Sequence, residues 1–299
     1  GRGGGVGLVV GRAAAVRVVG ALGGWLVVTQ APQAVSLAKT TIAPTPEAGA
    51  LPKAGEGPAS MAPGTAPDQF VSLFNGRDLT GWEGDSNLWS VKDGVIVSDT
   101  TGKTLTGLSS FLVLKGQSFA DFELHVSARM SDGNSGVQFR TRELGGGLLN
   151  GPQQEILPSA SGFFAGLAYD VGDRGRPGST GGLVAKCGEK IVWSAGSNKQ
   201  VTGSTDTSSD DVRATYKPDD WNDYTIIAQG DHYILKLNGL VTVDFTENDP
   251  AYRTPAGIIA LQLHRFGGSP LKVEFRDIPI QQLGTASNPV PAPAQVAQG

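Results

Sequence analysis

The chain has 299 residues, a formal net charge of −4 and 17% charged residues, against 43 glycines and 18 prolines. This mild acidity, with no long basic run, argues against nucleic acid as a partner, and the glycine and proline content favours many turns and short strands over long helices. Cys187 is the one cysteine, so an intrachain disulfide and paired-cysteine metal sites are excluded.

At the N-terminus, Arg2, Arg12 and Arg17 precede an apolar run from Val18 to Val28, and the small residues Ser36 and Ala38 follow at the spacing of a cleavage site. Residues 1–38 read as a secretory signal peptide, with an apolar core too short for a transmembrane span, and the expected location is periplasmic or extracellular. The other reading is a disordered extension. Residues 39–68, mostly Ala, Pro, Thr and Gly, bury too little apolar surface to offset the entropy of ordering and read as a linker. Residues 284–299 have the character of a disordered tail. Residues 69–283 between them form one expected domain.

Strand signals fill that domain. A short apolar run covers Phe70 to Phe74. Leu88 to Lys92 and Val95 to Val97 flank Asp93-Gly94, a favoured hairpin turn. From Asp121 to Met130 the sequence alternates, with Phe122, Leu124, Val126, Ala128 and Met130 on one side and Glu123, His125, Ser127 and Arg129 on the other. Ser135 to Arg142 alternates with Val137 and Phe139 inward. Tyr224 to Ala228, Tyr233 to Leu237 and Leu240 to Phe245 follow, the last two joined by Asn238-Gly239. In Ile258 to Ile280 two strand-like runs flank a Gly-Gly-Ser-Pro turn. No segment keeps a 3.6-residue period over a dozen residues, so the expected fold is all-β, an antiparallel β-sandwich or barrel.

Three strand segments each carry a polar pair two residues apart, hence on one face: Gln138 and Arg140, Gln153 and Glu155, Gln262 and His264. On adjacent strands of a curved sheet such pairs would converge. Arg forks onto hydroxyls or a carboxylate, Gln both donates and accepts, and Glu and His exchange protons, an inventory suited to a polyhydroxylated ligand. The plainer alternative is a solvated face with three independent pairs. His125 is a further candidate for ligand contact at a cleft rim. His232 is expected in an exposed turn, and Asp210-Asp211 and Asp219-Asp220 lack the spaced oxygens of a Ca²⁺ loop and read as solvated loop residues. Trp82, Trp89 and Trp221 read as core. No G-x-S-x-G, H-E-x-x-H or P-loop sequence is present.

The segments FVSLFNGRDLTGWEG, WSVKDGVIV, FADFELHVSARM, GNSGVQFRT, WNDYTIIAQGDHYILKLNGLVTVDFTE and IIALQLHRFGGSPLKVEFRDIPI, in this order from Phe70 to Leu283, resemble the 3-keto-disaccharide hydrolase domain family. The resemblance implies a concanavalin A/laminin-G-like jelly-roll sandwich, often exported, that acts on glycosides oxidised to the ketone at carbon 3. Such a ketone acidifies the hydrogen on carbon 2. A base can remove it, the group at carbon 1 leaves, and water adds to the enone, so elimination and hydration give net hydrolysis. The chemistry needs a base, an acid and a stabiliser of the enolate oxygen. Glu155 and His264 are the candidates for acid and base in either order, and Arg140 or a bound divalent cation is the candidate stabiliser, with no metal ligands assigned. Gln138, Arg140, Gln153, Gln262 and His125 are the candidate substrate-binding residues. The alternative reading is a non-catalytic carbohydrate-binding module of the same fold.

Overall fold

The structure is a computed structural model and describes residues 69–103, 105, 107, 109–145, 147–157, 168–171, 183–265 and 270–284. The expected signal peptide and linker, and all but the first residue of the expected tail, lie outside the described residues. In chain order the strands are β1 (Val71–Ser72), β2 (Trp82–Glu83), β3 (Trp89–Lys92), β4 (Val95–Asp99), β5 (Ser109–Leu114), β6 (Phe122–Asp132), β7 (Asn134–Gly145), β8 (Leu148–Ile156), β9 (Ala168–Val171) and β10 (Leu183–Ala185). They continue with β11 (Glu189–Ser194), β12 (Asn198–Ser204), β13 (Asn222–Gln229), β14 (His232–Leu237), β15 (Leu240–Glu247), β16 (Ile258–His264), β17 (Lys272–Arg276) and β18 (Pro279–Gln282). One short helix, α1 (Ser209–Thr215), lies between β12 and β13.

Two sheets make a sandwich. The first runs β12-β11-β15-β14-β13-β6-β17-β4-β3, with β18 also paired to β6 and β1 to β18; the second runs β10-β9-β8-β7-β16-β5-β2. Pairing is antiparallel among the described strands except for β11 beside β15, which is parallel. The alternation read from the sequence supplies the core. Leu124, Val126, Tyr224 and Ile226 from the first sheet meet Val137, Phe139, Leu261 and Leu263 from the second in one buried cluster. The tight hairpins form where expected, because Asp93-Gly94 and Asn238-Gly239 both adopt positive φ, as a two-residue turn between twisted strands requires.

The two runs on either side of Gly-Gly-Ser-Pro join different sheets: β16 pairs with β5 and β7 in the second, whereas β17 pairs with β4 and β6 in the first. Two details depart from the sequence reading. Asp210 and Asp211 are not loop residues but the acidic first turn of α1. Ser208 caps that helix and Asp211 bonds back to the Ser208 backbone, a capping box that a dozen-residue periodicity window is too long to register. Trp82 and Trp89 are buried, but Trp221 is half-buried, with the guanidinium groups of Arg276 and Arg129 lying 4.1 and 4.8 Å from its ring. Among the described residues no helix is long and apolar enough to cross a membrane.

Candidate functional site

The outer face of the second sheet carries the site. On β16, Leu261 and Leu263 point into the core, so Gln262 and His264 must point the other way. Register then decides which neighbours they meet. Gly136 on the central strand β7 lies opposite Glu155 of β8 on one side and Gln262 of β16 on the other, and Asn134 lies opposite His264. Gln138 lies opposite Gln153. Alternation therefore gathers Asn134, Gln138, Gln153, Glu155, Gln262 and His264 on one face of three adjacent strands.

Their side chains form one network around the Glu155 carboxyl. Its Oε1 accepts from Gln153 Nε2 at 2.5 Å and its Oε2 from Asn134 Nδ2 at 2.8 Å. Gln153 Nε2 also reaches Gln262 Oε1 at 3.0 Å, and Gln153 Oε1 accepts from Gln138 Nε2 at 3.3 Å. Gln153 spans β7 to reach β16 because residue 136 is glycine. A Cβ there would fall 2.4 Å from Gln153 Cδ. Gln138 Oε1 is buried with no hydrogen-bond partner among the described residues. His264 Nδ1 lies 2.8 Å from Ser109 Oγ on β5, which completes the arc.

Burial sets the electrostatics. Glu155 is 5% exposed, and desolvation pushes its carboxyl up to about 7, only partly offset by the amide donors of Asn134 and Gln153. Burial also moves the His264 imidazole below its ordinary value. A carboxyl that keeps its proton near neutrality thus sits beside Asn134, whose strand neighbour is a half-buried imidazole that sheds its own proton readily.

Two predicted site residues are elsewhere. Arg140 does not share the face of Gln138. Its backbone takes φ 46°, and the pairing of β7 with β8 slips between Gln138 and Arg142, so the alternation breaks and the side chain turns inward. Fully buried, it donates from Nε to Ala120 O (2.6 Å), from Nη1 to Gly230 O (2.5 Å) and Tyr233 Oη (3.0 Å), and from Nη2 to Asp121 Oδ1 (2.9 Å). It clamps the sandwich, with these four N–H groups spent on partners away from the site. His125 lies on the outer face of the first sheet, bonded to Glu123 (2.7 Å) and against the Phe70 ring, on the far side of the sandwich from His264. The sequence reading missed Asn134, Gly136 and Ser109. Asn134 and Gly136 fall on the period-2 continuation of Gln138, a signal that was present, whereas Ser109 is joined to the site only by sheet pairing.

The divalent cation suggested by the resemblance does not fit this donor set. No three His, Cys, Asp or Glu side chains converge among the described residues, and both Glu155 oxygens face amide N–H groups.

No curated protein matches the chain. Among solved structures it is similar to a protein of Parabacteroides distasonis ATCC 8503 described provisionally as a glycosyl hydrolase, at 20% identity over 71% of this chain and 93% of that one, with a TM-score of 0.45. It is also similar to a carbohydrate binding module from Bacillus subtilis (11% identity, 67% and 95% covered, TM-score 0.42) and to the β-glucanase of Bacillus licheniformis (10%, 67% and 92%, 0.40). The profile of the 3-keto-alpha-glucoside-1,2-lyase-like domain matches residues 69–281, the whole run of strands but for one residue, and the chain belongs to that carbohydrate-related family.

Proposed function

We propose that this domain cleaves 3-keto-glycosides or 3-keto-disaccharides by elimination followed by hydration, with His264 as base and Glu155 as acid. The observation that carries the reading is the buried Glu155 carboxyl, raised to about 7, linked through Asn134 to the strand position of His264. The two shifts also favour these roles. Near neutrality Glu155 holds a proton to give, and His264, moved below its ordinary value, has a lone pair to take one. In the first half-reaction the imidazole removes the proton on carbon 2, and its electron pair passes to the carbon-3 oxygen as an enolate. The enolate collapses to the enone and expels the carbon-1 oxygen, which takes the Glu155 proton. In the second half-reaction water adds to carbon 1, giving its proton to Glu155, while the imidazolium returns a proton to carbon 2. Both groups end in their starting states. With Arg140 turned into the sandwich, the amide N–H of Gln262, whose Oε1 is already held by Gln153, is the donor left on this face for the enolate oxygen.

The test compares 3-keto-glucosides bearing nitrophenyl and alkyl leaving groups, with product release followed by NMR. Glu155→Gln is expected to lose about 10²–10⁴-fold in release of the alkyl group yet keep most of the release of the nitrophenyl group, which departs without a proton and before the hydration that uses Glu155, whereas His264→Ala loses a similar factor on both. Sugar binding without release of any carbon-1 group would favour the non-catalytic carbohydrate-binding reading.

A further inference from the structure

The outer face of the second sheet has two halves, and only the polar one takes part in the chemistry above. Towards the opposite ends of the same strands the character changes. Ala260, two residues from Gln262, is the register partner of Gln138 on one side and of Val113 on the other. Val113, Leu149 and Ala260 form a small apolar cluster, separate from the main core, against which Phe111 packs half-exposed. Above this patch opens a cavity of about 400 Å³, which shares Ser109 with the site through the bond of that residue to His264.

Ser109, Phe111, Val113 and Lys115 follow one another at period 2, so the cavity follows β5 for about 20 Å, several times the span of one pyranose ring. At its far end Lys115 pairs with Glu143 at 2.8 Å and lies 3.8 Å from Glu83. Asp85 adds another carboxylate to the wall. An apolar floor with an aromatic face, under a rim of hydroxyl and carboxylate acceptors, suits a ring with one apolar face and a girdle of hydroxyl donors. Three carboxylates disfavour an anion, and a wholly apolar group would leave the rim polar groups unpaired.

We infer that this cavity is the subsite for a second sugar ring, the leaving group of the glycoside, with Phe111 as its stacking platform and Glu143 as a hydroxyl acceptor. The inference rests on the proposed reaction for the placement of the first ring over Glu155 and His264. It gives the enzyme a preference for 3-keto-disaccharides over 3-keto-glucosides with small aglycones.

The experiment uses a 3-keto-disaccharide and methyl 3-keto-glucoside with the full chain. Kinetics provide KM and kcat, and calorimetry in the Glu155→Gln background reads binding independently of turnover. The unsubstituted subsite is expected to favour the disaccharide by about tenfold or more, and Phe111→Ala to remove most of that preference while leaving the methyl glycoside within about twofold. Glu143→Ala, on an exposed residue that does not threaten the fold, is expected to weaken only the disaccharide, by about threefold. Equal affinity for the two ligands, affinity for neither, or variants that weaken both alike would overturn the subsite. A disaccharide preference lost in Phe111→Ala, with no bond broken by the parent protein, would uphold the subsite and refute the cleavage reading. Turnover with no disaccharide preference would do the reverse.

Discussion

Replacing Glu155 by Gln tests the physical basis of the site without any substrate. In the unfolded chain this carboxyl titrates near 4.5, and in the fold burial raises it to about 7. Between those values the folded state holds a proton that the unfolded state has released, so stability falls as pH rises, at about 1.4 kcal/mol per pH unit. Over the full gap this amounts to about 3 kcal/mol, present below pH 4.5 and lost by about pH 8. Gln keeps the volume but cannot ionise. It also disturbs the amide bonds from Asn134 and Gln153, an offset that does not vary with pH. Urea unfolding of both proteins from pH 5 to 9, followed by circular dichroism, isolates the effect in the difference, because the other titrating groups are common to both. The Glu155→Gln protein should gain on the parent by about 2–3 kcal/mol between pH 5 and about pH 8 and level off above it. A difference flat to within about 0.5 kcal/mol would show that Glu155 ionises like an exposed carboxyl and would remove the ground for its role as acid.

Two further substitutions test the scaffold. Gly136→Ala places a methyl 2.4 Å from Gln153 Cδ, so Gln153 must leave Gln262 and Glu155. A loss of about 1–3 kcal/mol in thermal or urea unfolding, together with reduced turnover, is expected, and unchanged activity would show that the glutamine bridge is dispensable. Arg140→Met strands the Asp121 carboxylate and two carbonyls that the guanidinium satisfies, and about 3–5 kcal/mol of stability should be lost with the sugar affinity of the folded fraction unchanged. A weakened affinity at unchanged stability would return Arg140 to the ligand face.

Alternation made the faces of single strands legible, and it did so well for β6 and β16, whose apolar sets enter the core as read. It cannot say which sheet a strand joins. His125 and His264 each oppose a row of buried side chains, yet sheet pairing sends them to opposite outer surfaces of the sandwich. Alternation also fails silently at a bulge. The signals of this one were Gly257, whose absent side chain admits the Arg140 carbonyl, and Gly151-Pro152 on β8, where a Cβ at 151 would strike Thr141 and a proline withholds a ladder N–H. The bulge matters beyond geometry. Had Arg140 stayed in phase with Gln138, a cation would have shared the face with Glu155 and favoured its ionised form. By turning that guanidinium inward to Asp121, the slip in register leaves Glu155 with only neutral donors, so desolvation dominates and the carboxyl titrates near 7. The residue that the sequence offered as a charged partner in the chemistry thus helps tune the site by its absence from it.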